Sequence, residues 1–330
     1  MQDNAGLMPF ALLNKLRALG RRPSAAAHAP LLDDAALAAL IRRVEALRLA
    51  APHRREVQQR QAGDLRSRYL GRGLDFEEVR PYQRGDDVRD MDWRTTARTG
   101  RPYLKTFRQE HQPALSIVLD RGASMRFGTR GRLKAAQAAS LAAMFAVGAA
   151  GGNTCVGGTV WQPGGRMLPC RSGERGAMEL VRAAIAPCPP LERAQQEQAW
   201  PFAEMLRQVD ELSPRGSRLV LISDLRHLGE GDLPLLARLA ERHQLIVVQV
   251  LDRAEEALPD VGLARFQDAA GGGIRWIDTG SGAVRDAFRD RADALHRAQE
   301  AWFRRLAVPF YRCTADADPF PVFQQAAGHG

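Results

Sequence analysis

The stretch that decides the fold is "ALSIVLDRGASM", residues 114–125, in which a nearly continuous apolar run ends in Asp120. An alanine-rich stretch follows at residues 132–152, and its composition predicts a long helix closed by Gly151 and Gly152. A strand that is apolar on both faces is typical of a sheet with helices on both sides. The stretch therefore predicts the first strand and helix of an α/β domain.

The same alternation continues along the chain. Further strands are predicted at residues 155–161, 166–170, 217–224, 244–252 and 274–278, and helices at 174–186, 199–211, 232–242 and 283–305. Apolar strands that alternate with helices build a mostly parallel sheet covered on both faces. The predicted fold class is therefore a Rossmann-type α/β domain, and we assign it residues 113–330.

The part of the chain before this domain has a different character. Apolar residues at helical spacing follow Asp33 and Asp34 and predict a helix, whereas residues 71–79 and 102–110 are the best strand candidates. We expect a flexible segment at residues 1–30. A charged α+β subdomain that includes the helix is expected at residues 31–112.

Composition limits the classes of function. A hydrophobic content of 45% in 330 residues supports a real core, and the lack of an apolar run of about 18 residues predicts a cytoplasmic protein with no membrane span. The net charge of +9 comes almost entirely from arginines interleaved with acids, so we expect ion pairing. Nucleic-acid binding stays an alternative. The four cysteines lack the spacing of a zinc site or a disulfide framework and are expected to be buried free thiols.

Two predicted strands end in an aspartate. Asp120 ends the first strand, Asp224 ends the strand at residues 217–224, and Ser124 follows Asp120 in the same loop. Ligands of open α/β sheets bind at the carboxyl ends of the strands, where the strand order reverses. If the two strands are neighbours, the two carboxylates and the Ser124 hydroxyl meet at one place.

This arrangement resembles the von Willebrand factor A domain, whose metal-ion-dependent adhesion site uses an Asp-x-Ser-x-Ser loop, a threonine and a later aspartate. Asp120, Ser124 and Asp224 match three of these positions, whereas Gly122 stands in place of the first serine and no threonine occurs between residues 171 and 223. The resemblance implies a degenerate site that holds Mg²⁺ or Mn²⁺ weakly or not at all. The alternative is that both aspartates only tie loops together through hydrogen bonds.

A run of arginines and aspartates precedes the sheet domain, "EVRPYQRGDDVRDMDWRTTARTGRPYLKTF" at residues 78–107. It could form a structural network of ion pairs buried under Trp93 and Tyr82, or a partner-recognition surface. A metal-dependent hydrolase or nuclease that uses the aspartates is an alternative, but the chain has no phosphate-binding loop and no HExxH or GxSxG motif. We therefore expect neither an enzyme nor a bound nucleotide. The candidate residues are Arg80, Tyr82, Asp86, Asp87, Arg89, Asp92, Trp93 and Arg98.

Residues 71–110, followed by "LDRGASM", resemble the bacterial family called domain of unknown function 58. The run Gly85, Asp86, Asp87, Arg89, Asp92, Trp93, Ala97 and Arg98 keeps the spacing of that family, and the likeness continues to residues 255–262. The resemblance implies a von Willebrand A-like domain with a charged N-terminal insertion, in its short soluble form. It also implies a MoxR-type AAA+ ATPase as partner. The expected function is that of a non-enzymatic adaptor or co-chaperone that works with this ATPase on a client protein, through the degenerate site and the charged run.

Overall fold

The computed structural model describes residues 30–50, 74–83, 87–109, 113–150, 154–188, 200–267 and 273–328. The expected flexible segment, residues 1–30, lies outside these ranges except for its last residue. The chain divides into two compact units, one formed by Met1–Ala50 and Pro113–Gly330 and the other by Ala51–Gln112.

The first helix, α1, spans Asp34–Ala50 and belongs to the larger unit. Its Val44 is 1% exposed and packs in the same core cluster as the alanines of the helix that follows the first sheet strand. The sequence grouped α1 with residues 51–112, and the structure differs here. The physical reason is that the apolar stripe of α1 finds its complementary surface on an alanine-rich helix, whose small side chains permit close packing.

The smaller unit is a two-stranded antiparallel sheet with a short helix between its strands. β1 spans Leu74–Pro81 and pairs with β2, Tyr103–Gln109, in agreement with the two strands predicted from the sequence. A 3₁₀ turn at Val88–Asp90 and the helix α2, Trp93–Thr99, lie between them. Gly100 ends α2 with a φ of 68°, a left-handed conformation that glycine adopts without a steric cost.

The larger unit is built on a six-stranded sheet. Its strands are β3 (Ala114–Asp120), β4 (Cys155–Trp161), β5 (Arg166–Ser172), β6 (Arg218–Ser223), β7 (Gln244–Leu251) and β10 (Phe310–Thr314). Their spatial order is β5-β4-β3-β6-β7-β10, and every neighbouring pair is parallel except β4 and β5. If these six strands are renumbered 1 to 6 along the chain, the order is 3-2-1-4-5-6, which is that of a doubly wound fold.

Helices cover both faces of this sheet and confirm the predicted α/β class. Ile117 and Leu119 of β3 belong to one core cluster, whereas Val118 between them belongs to a second cluster on the other face. This double burial explains why β3 is a nearly continuous apolar run. The remaining elements are α3 (Lys134–Ala149), α4 (Gly173–Ile185), α5 (Phe202–Leu212), α6 (Leu233–Arg242), α7 (Arg253–Glu256), β8 (Leu263–Gln267), β9 (Ile274–Asp278), α8 (Gly282–Arg305) and α9 (Phe320–Ala327).

The cysteines differ from the sequence prediction, and the helices bear on the predicted lack of a membrane span. A disulfide joins Cys155 of β4 to Cys170 of the neighbouring strand β5, with Cα atoms 5.4 Å apart, so the prediction of four free thiols is wrong for this pair. The spacing of 15 residues between the two cysteines did not indicate that β4 and β5 are paired and bring them together. Cys188 and Cys313 are free. In the described part of the chain, no helix combines the length and the apolar composition needed to cross a membrane.

Candidate functional site

The candidate site lies at the carboxyl edge of the sheet, where the strand order reverses. β3 and β6 are parallel neighbours, with Leu119 opposite Ile222. Asp120 is the last residue of β3, and Asp224 directly follows β6, so both side chains lie at this edge. Ser124 lies in a 3₁₀ turn, Ala123–Arg126, immediately after β3. The structure therefore brings the three residues together.

Asp120 is completely buried and both of its oxygens accept hydrogen bonds. Oδ1 accepts from the Gly122 backbone N–H at 2.8 Å, and Oδ2 accepts from the Ser223 hydroxyl at 2.6 Å. The Ser223 oxygen in turn accepts from the Leu225 N–H at 2.9 Å. Leu225 has a φ of 63°, an unfavourable left-handed conformation for a leucine that persists only because its surroundings hold it. These bonds fix the loop after β6 against the end of β3.

Asp224 is paired with a buried cation from α3. The Lys134 ammonium, which is 0% exposed, donates to Asp224 Oδ2 at 2.8 Å and to Glu255 Oε1 at 2.6 Å. Oδ1 of Asp224 accepts from the Arg226 backbone N–H at 3.1 Å. The Arg226 guanidinium is 30% exposed and lies farther away, 3.8 Å from Asp224 and 3.6 Å from Glu255. The cluster therefore balances most of its own charge.

The two aspartates have pKa values shifted in opposite directions. For Asp120, burial raises the pKa and the nearby charge of Asp224 raises it further, to about 6, against smaller opposing effects of His227 and the two hydrogen bonds. For Asp224, burial alone would raise the pKa, but Lys134 and Arg226 lower it to about 2. Burial alone would lower the pKa of Lys134, but the carboxylates of Asp224 and Glu255 outweigh burial and raise it. At neutral pH the lysine is charged and Asp224 is ionised.

The Ser124 hydroxyl lies near Asp224 and contributes to lowering its pKa. It is nevertheless a buried atom with no hydrogen bond of normal geometry to any residue that the structure describes. At the position of the missing first serine, a Cβ on Gly122 would lie 2.6 Å from Cζ3 of Trp161. The rigid indole therefore occupies the space that a side chain at residue 122 would need.

These contacts test whether the predicted ligands fit Mg²⁺ or Mn²⁺. Magnesium requires about six oxygen ligands in octahedral geometry. Here both oxygens of Asp120 are used in hydrogen bonds, the charge of Asp224 is balanced by Lys134, and Trp161 excludes a hydroxyl at residue 122. Within the described ranges, no group of three or more histidine, cysteine or acidic side chains is arranged to hold a metal ion. The residues as arranged do not fit a divalent ion.

Two aspartates of the charged run, Asp87 and Asp92, cap short helical segments. Asp87 accepts from the Arg89 N–H at 2.9 Å. Asp92, which is 8% exposed, accepts from the N–H groups of Arg94 and Thr95 at 3.1 and 3.2 Å and from the Thr95 hydroxyl at 2.9 Å. Such caps satisfy the free N–H groups at the start of a helix. These carboxylates thus have a local backbone role that the sequence analysis did not foresee.

Trp93 does not cover these aspartates, because its side chain is 66% exposed. The expected network buried under Trp93 therefore differs from the structure. Arg89 and Arg98 are also exposed, whereas Arg80 and Tyr82 are half-buried. Asp86 lies outside the described residues.

Lys134, Glu255 and Arg226 were not predicted as site residues from the sequence. For Lys134 and Glu255, however, the sequence contained a feature that could have indicated them. Lys134 is one of only three lysines and begins the alanine-rich helix α3, where a cation faces the positive end of the helix dipole and needs a partner. Asp252 and Glu255 have the spacing of a capping box at the start of α7, and Glu255 Oε2 accepts from the Asp252 N–H at 2.8 Å. This box fixes Glu255 beside the sheet edge.

The doubly wound sheet and the aspartate-bearing edge at its switch point define a von Willebrand A-like α/β protein. The family model "Protein of unknown function DUF58" matches residues 78–299, and the chain belongs to this family. An uncharacterized protein of Mycobacterium bovis is 32% identical over 294 residues, which cover 87% of each chain.

Two solved structures are also similar. The conserved hypothetical protein BatB from Bacteroides thetaiotaomicron has 13% identity and a TM-score of 0.39, over 66% of this chain and 98% of that one. A von Willebrand factor type A protein from Catenulispora acidiphila has 13% identity and a TM-score of 0.31, over 44% of this chain and 34% of that one.

Proposed function

We propose that this protein is a cytoplasmic, non-enzymatic adaptor that binds a MoxR-type AAA+ ATPase and presents a client protein to it. The observation that carries the proposal is the exposure of Trp93, 66%, within the run that keeps the family's spacing. Tryptophan and arginine are among the side chains most enriched in the residues that dominate binding energy, and the charged run places both types on one exposed segment. The charged run is thus the proposed surface for the ATPase.

The local structure supports a recognition role for this surface. Trp93 is the first residue of α2, and the buried Asp92 cap fixes the start of that helix. Arg94 and Arg98 lie on the same short helix and are exposed. Guanidinium groups next to an aromatic ring suit an acidic partner surface, because arginine binds carboxylates through two parallel hydrogen bonds.

The burial of the two aspartates at the carboxyl edge of the sheet argues against catalysis there. Asp120, with a pKa of about 6, and Asp224, with a pKa of about 2, have the divergent pKa values that a general acid and a general base show in an active site. However, Asp120 is 0% exposed and Asp224 is 2% exposed, so a substrate in solution does not reach either oxygen. General acid–base catalysis requires direct contact with the substrate or contact through one water molecule.

Gel filtration and affinity measurements with the purified ATPase test the proposal. Trp93→Ala should weaken the complex by tenfold or more, since truncation of a central interface residue costs about 2 kcal/mol. Trp276→Ala is a matched control, because Trp276 is 63% exposed on β9 in the other unit. Equal loss with both variants, or no loss with Trp93→Ala, contradicts the proposal. Turnover of a phosphodiester substrate by the wild type that disappears in a folded Asp86→Ala, Asp87→Ala or Asp92→Ala variant would favour the hydrolase alternative.

A further inference from the structure

Lys134 is a buried cation in an unfavourable place. It is the first residue of α3, and its side chain is completely buried. The N-terminal end of a helix carries partial positive charge, and removing an ammonium group from water is costly unless it is paired. The lysine is therefore held at the carboxyl edge by the two carboxylates it contacts, Asp224 at 2.8 Å and Glu255 at 2.6 Å.

The carboxylates that receive Lys134 are positioned independently of it. Glu255 Oε2 accepts from the Asp252 N–H, while Asp252 accepts from the Thr129 N–H at 2.8 Å and from the Thr129 hydroxyl at 2.5 Å. Asp224 directly follows β6, a central strand of the sheet. The carboxyl edge of the sheet therefore holds two fixed carboxylate oxygens that can bind a cation. The cation that they bind is the ammonium of Lys134 from the same chain.

We infer that the carboxyl edge is a metal-independent site in which the Lys134 ammonium supplies the positive charge that a divalent ion supplies to Asp224 in a metal-ion-dependent adhesion site. The lysine neutralises Asp224, and Trp161 excludes a ligand at residue 122. Removal of the ammonium leaves Asp224 Oδ2 and Glu255 Oε1 without their shared partner, near the Ser124 hydroxyl, which has no well-formed hydrogen bond in the described part of the chain. Oxygen atoms of this kind are the ligands that Mg²⁺ and Mn²⁺ prefer.

The inference extends beyond the proposed function and does not depend on it. It implies that a partner carboxylate does not bind at this edge by completing a metal sphere. The group that the edge offers to such a carboxylate is the Arg226 guanidinium, which is 30% exposed and only loosely held by Asp224 and Glu255. Binding at the edge should then be unaffected by a chelator of divalent ions.

Isothermal titration of Mg²⁺ and Mn²⁺ and the thermal unfolding midpoint with and without each metal test the inference. The wild type should show no binding and no shift of the midpoint at millimolar metal. Without metal, Lys134→Ala should have a lower unfolding midpoint than the wild type. It should bind Mn²⁺, and the bound ion should raise its midpoint part of the way back to the wild-type value, because a ligand that binds only the folded state stabilises it. This gain should disappear when Asp224→Asn is added to Lys134→Ala.

Two outcomes overturn the inference. One is metal binding by the wild type that is lost in Asp120→Ala or Asp224→Asn, and the other is a folded Lys134→Ala protein that gains no affinity for metal. If Lys134→Ala does not fold, Lys134→Ser replaces it. Its hydroxyl gives the buried cluster a polar partner, and the variant keeps Asp224 and Glu255 as carboxylates and leaves the space of the ammonium open. The same two criteria then apply.

Discussion

Replacement of Asp120 by asparagine should change how the stability of the protein depends on pH. The pKa of Asp120 is raised from 3.8 to about 6, so the folded state holds the proton more tightly than the unfolded state. The stability contributed by the protonated carboxyl is therefore fully present below pH 3.8 and is lost as the pH rises to about 6. A shift of this size corresponds to about 3 kcal/mol. The asparagine cannot ionise and does not incur this loss.

Urea denaturation at several pH values from 4 to 7.5 measures the effect. The free energy of unfolding of Asp120→Asn, minus that of the wild type, should rise by about 2 kcal/mol across this range, because part of the loss of about 3 kcal/mol has already occurred by pH 4. A difference independent of pH is expected as well, because the amide replaces the oxygen that accepts from Ser223. Asp286→Asn, a change at an exposed position of α8, is the control. If the difference for Asp120→Asn is as flat as the control, burial and the charge of Asp224 do not raise the pKa of Asp120 as argued.

Two further changes test the packing around the sheet. Asp210→Ala should cost about 3–5 kcal/mol in urea denaturation, because this buried carboxylate lies 3.2 Å from Nε2 of the buried His243 and 2.8 Å from Arg242 Nε, and its loss leaves both groups without their partner. Arg238→Ala should cost less than about 1 kcal/mol, because that side chain, which donates to Asp210 at 2.8 Å, is 56% exposed. Equal costs contradict this ranking. Gly122→Ala should destabilise the protein by about 1–3 kcal/mol, since the new methyl group would lie 2.6 Å from Trp161, and an unchanged unfolding midpoint would show that the indole moves freely.

The sheet was predictable from the sequence because its central strands are buried on both faces. β3, β6 and β7 are nearly continuous apolar runs, and each is buried almost throughout. The edge strand β10 was missed because most of its residues are only half-buried, so "FYRCT" has no apolar run. β8 and α9 were missed as well, and the helix predicted at residues 199–211 begins at Phe202. A strand that is buried on both faces of the sheet has a continuous apolar run that can be recognised in the sequence, whereas elements at the periphery of the domain lack such a run.

The site was predictable only as far as the strand ends determine it. Asp120 and Asp224 are readable because each directly follows an apolar run, and the doubly wound order makes β3 and β6 neighbours. Lys134 is separated from Asp224 by 90 residues and from Glu255 by 121 residues, so only the tertiary structure reveals these pairs. The disulfide and the clash at Gly122 depend in the same way on which strands are adjacent.

The cations beside Asp224, first Lys134 and then Arg226, account for the unlike behaviour of the two aspartates. Asp224 has the Lys134 ammonium at 2.8 Å and keeps its charge, whereas Asp120 has a backbone N–H, a hydroxyl and the electrostatic effect of His227 to offset its burial and the charge of Asp224. In a metal-dependent site a single divalent ion would lower the pKa of both carboxylates together. At this edge the cation is the Lys134 side chain, so the geometry of the site does not depend on the concentration of divalent ions. The carboxyl of Asp120 can still take up a proton near pH 6.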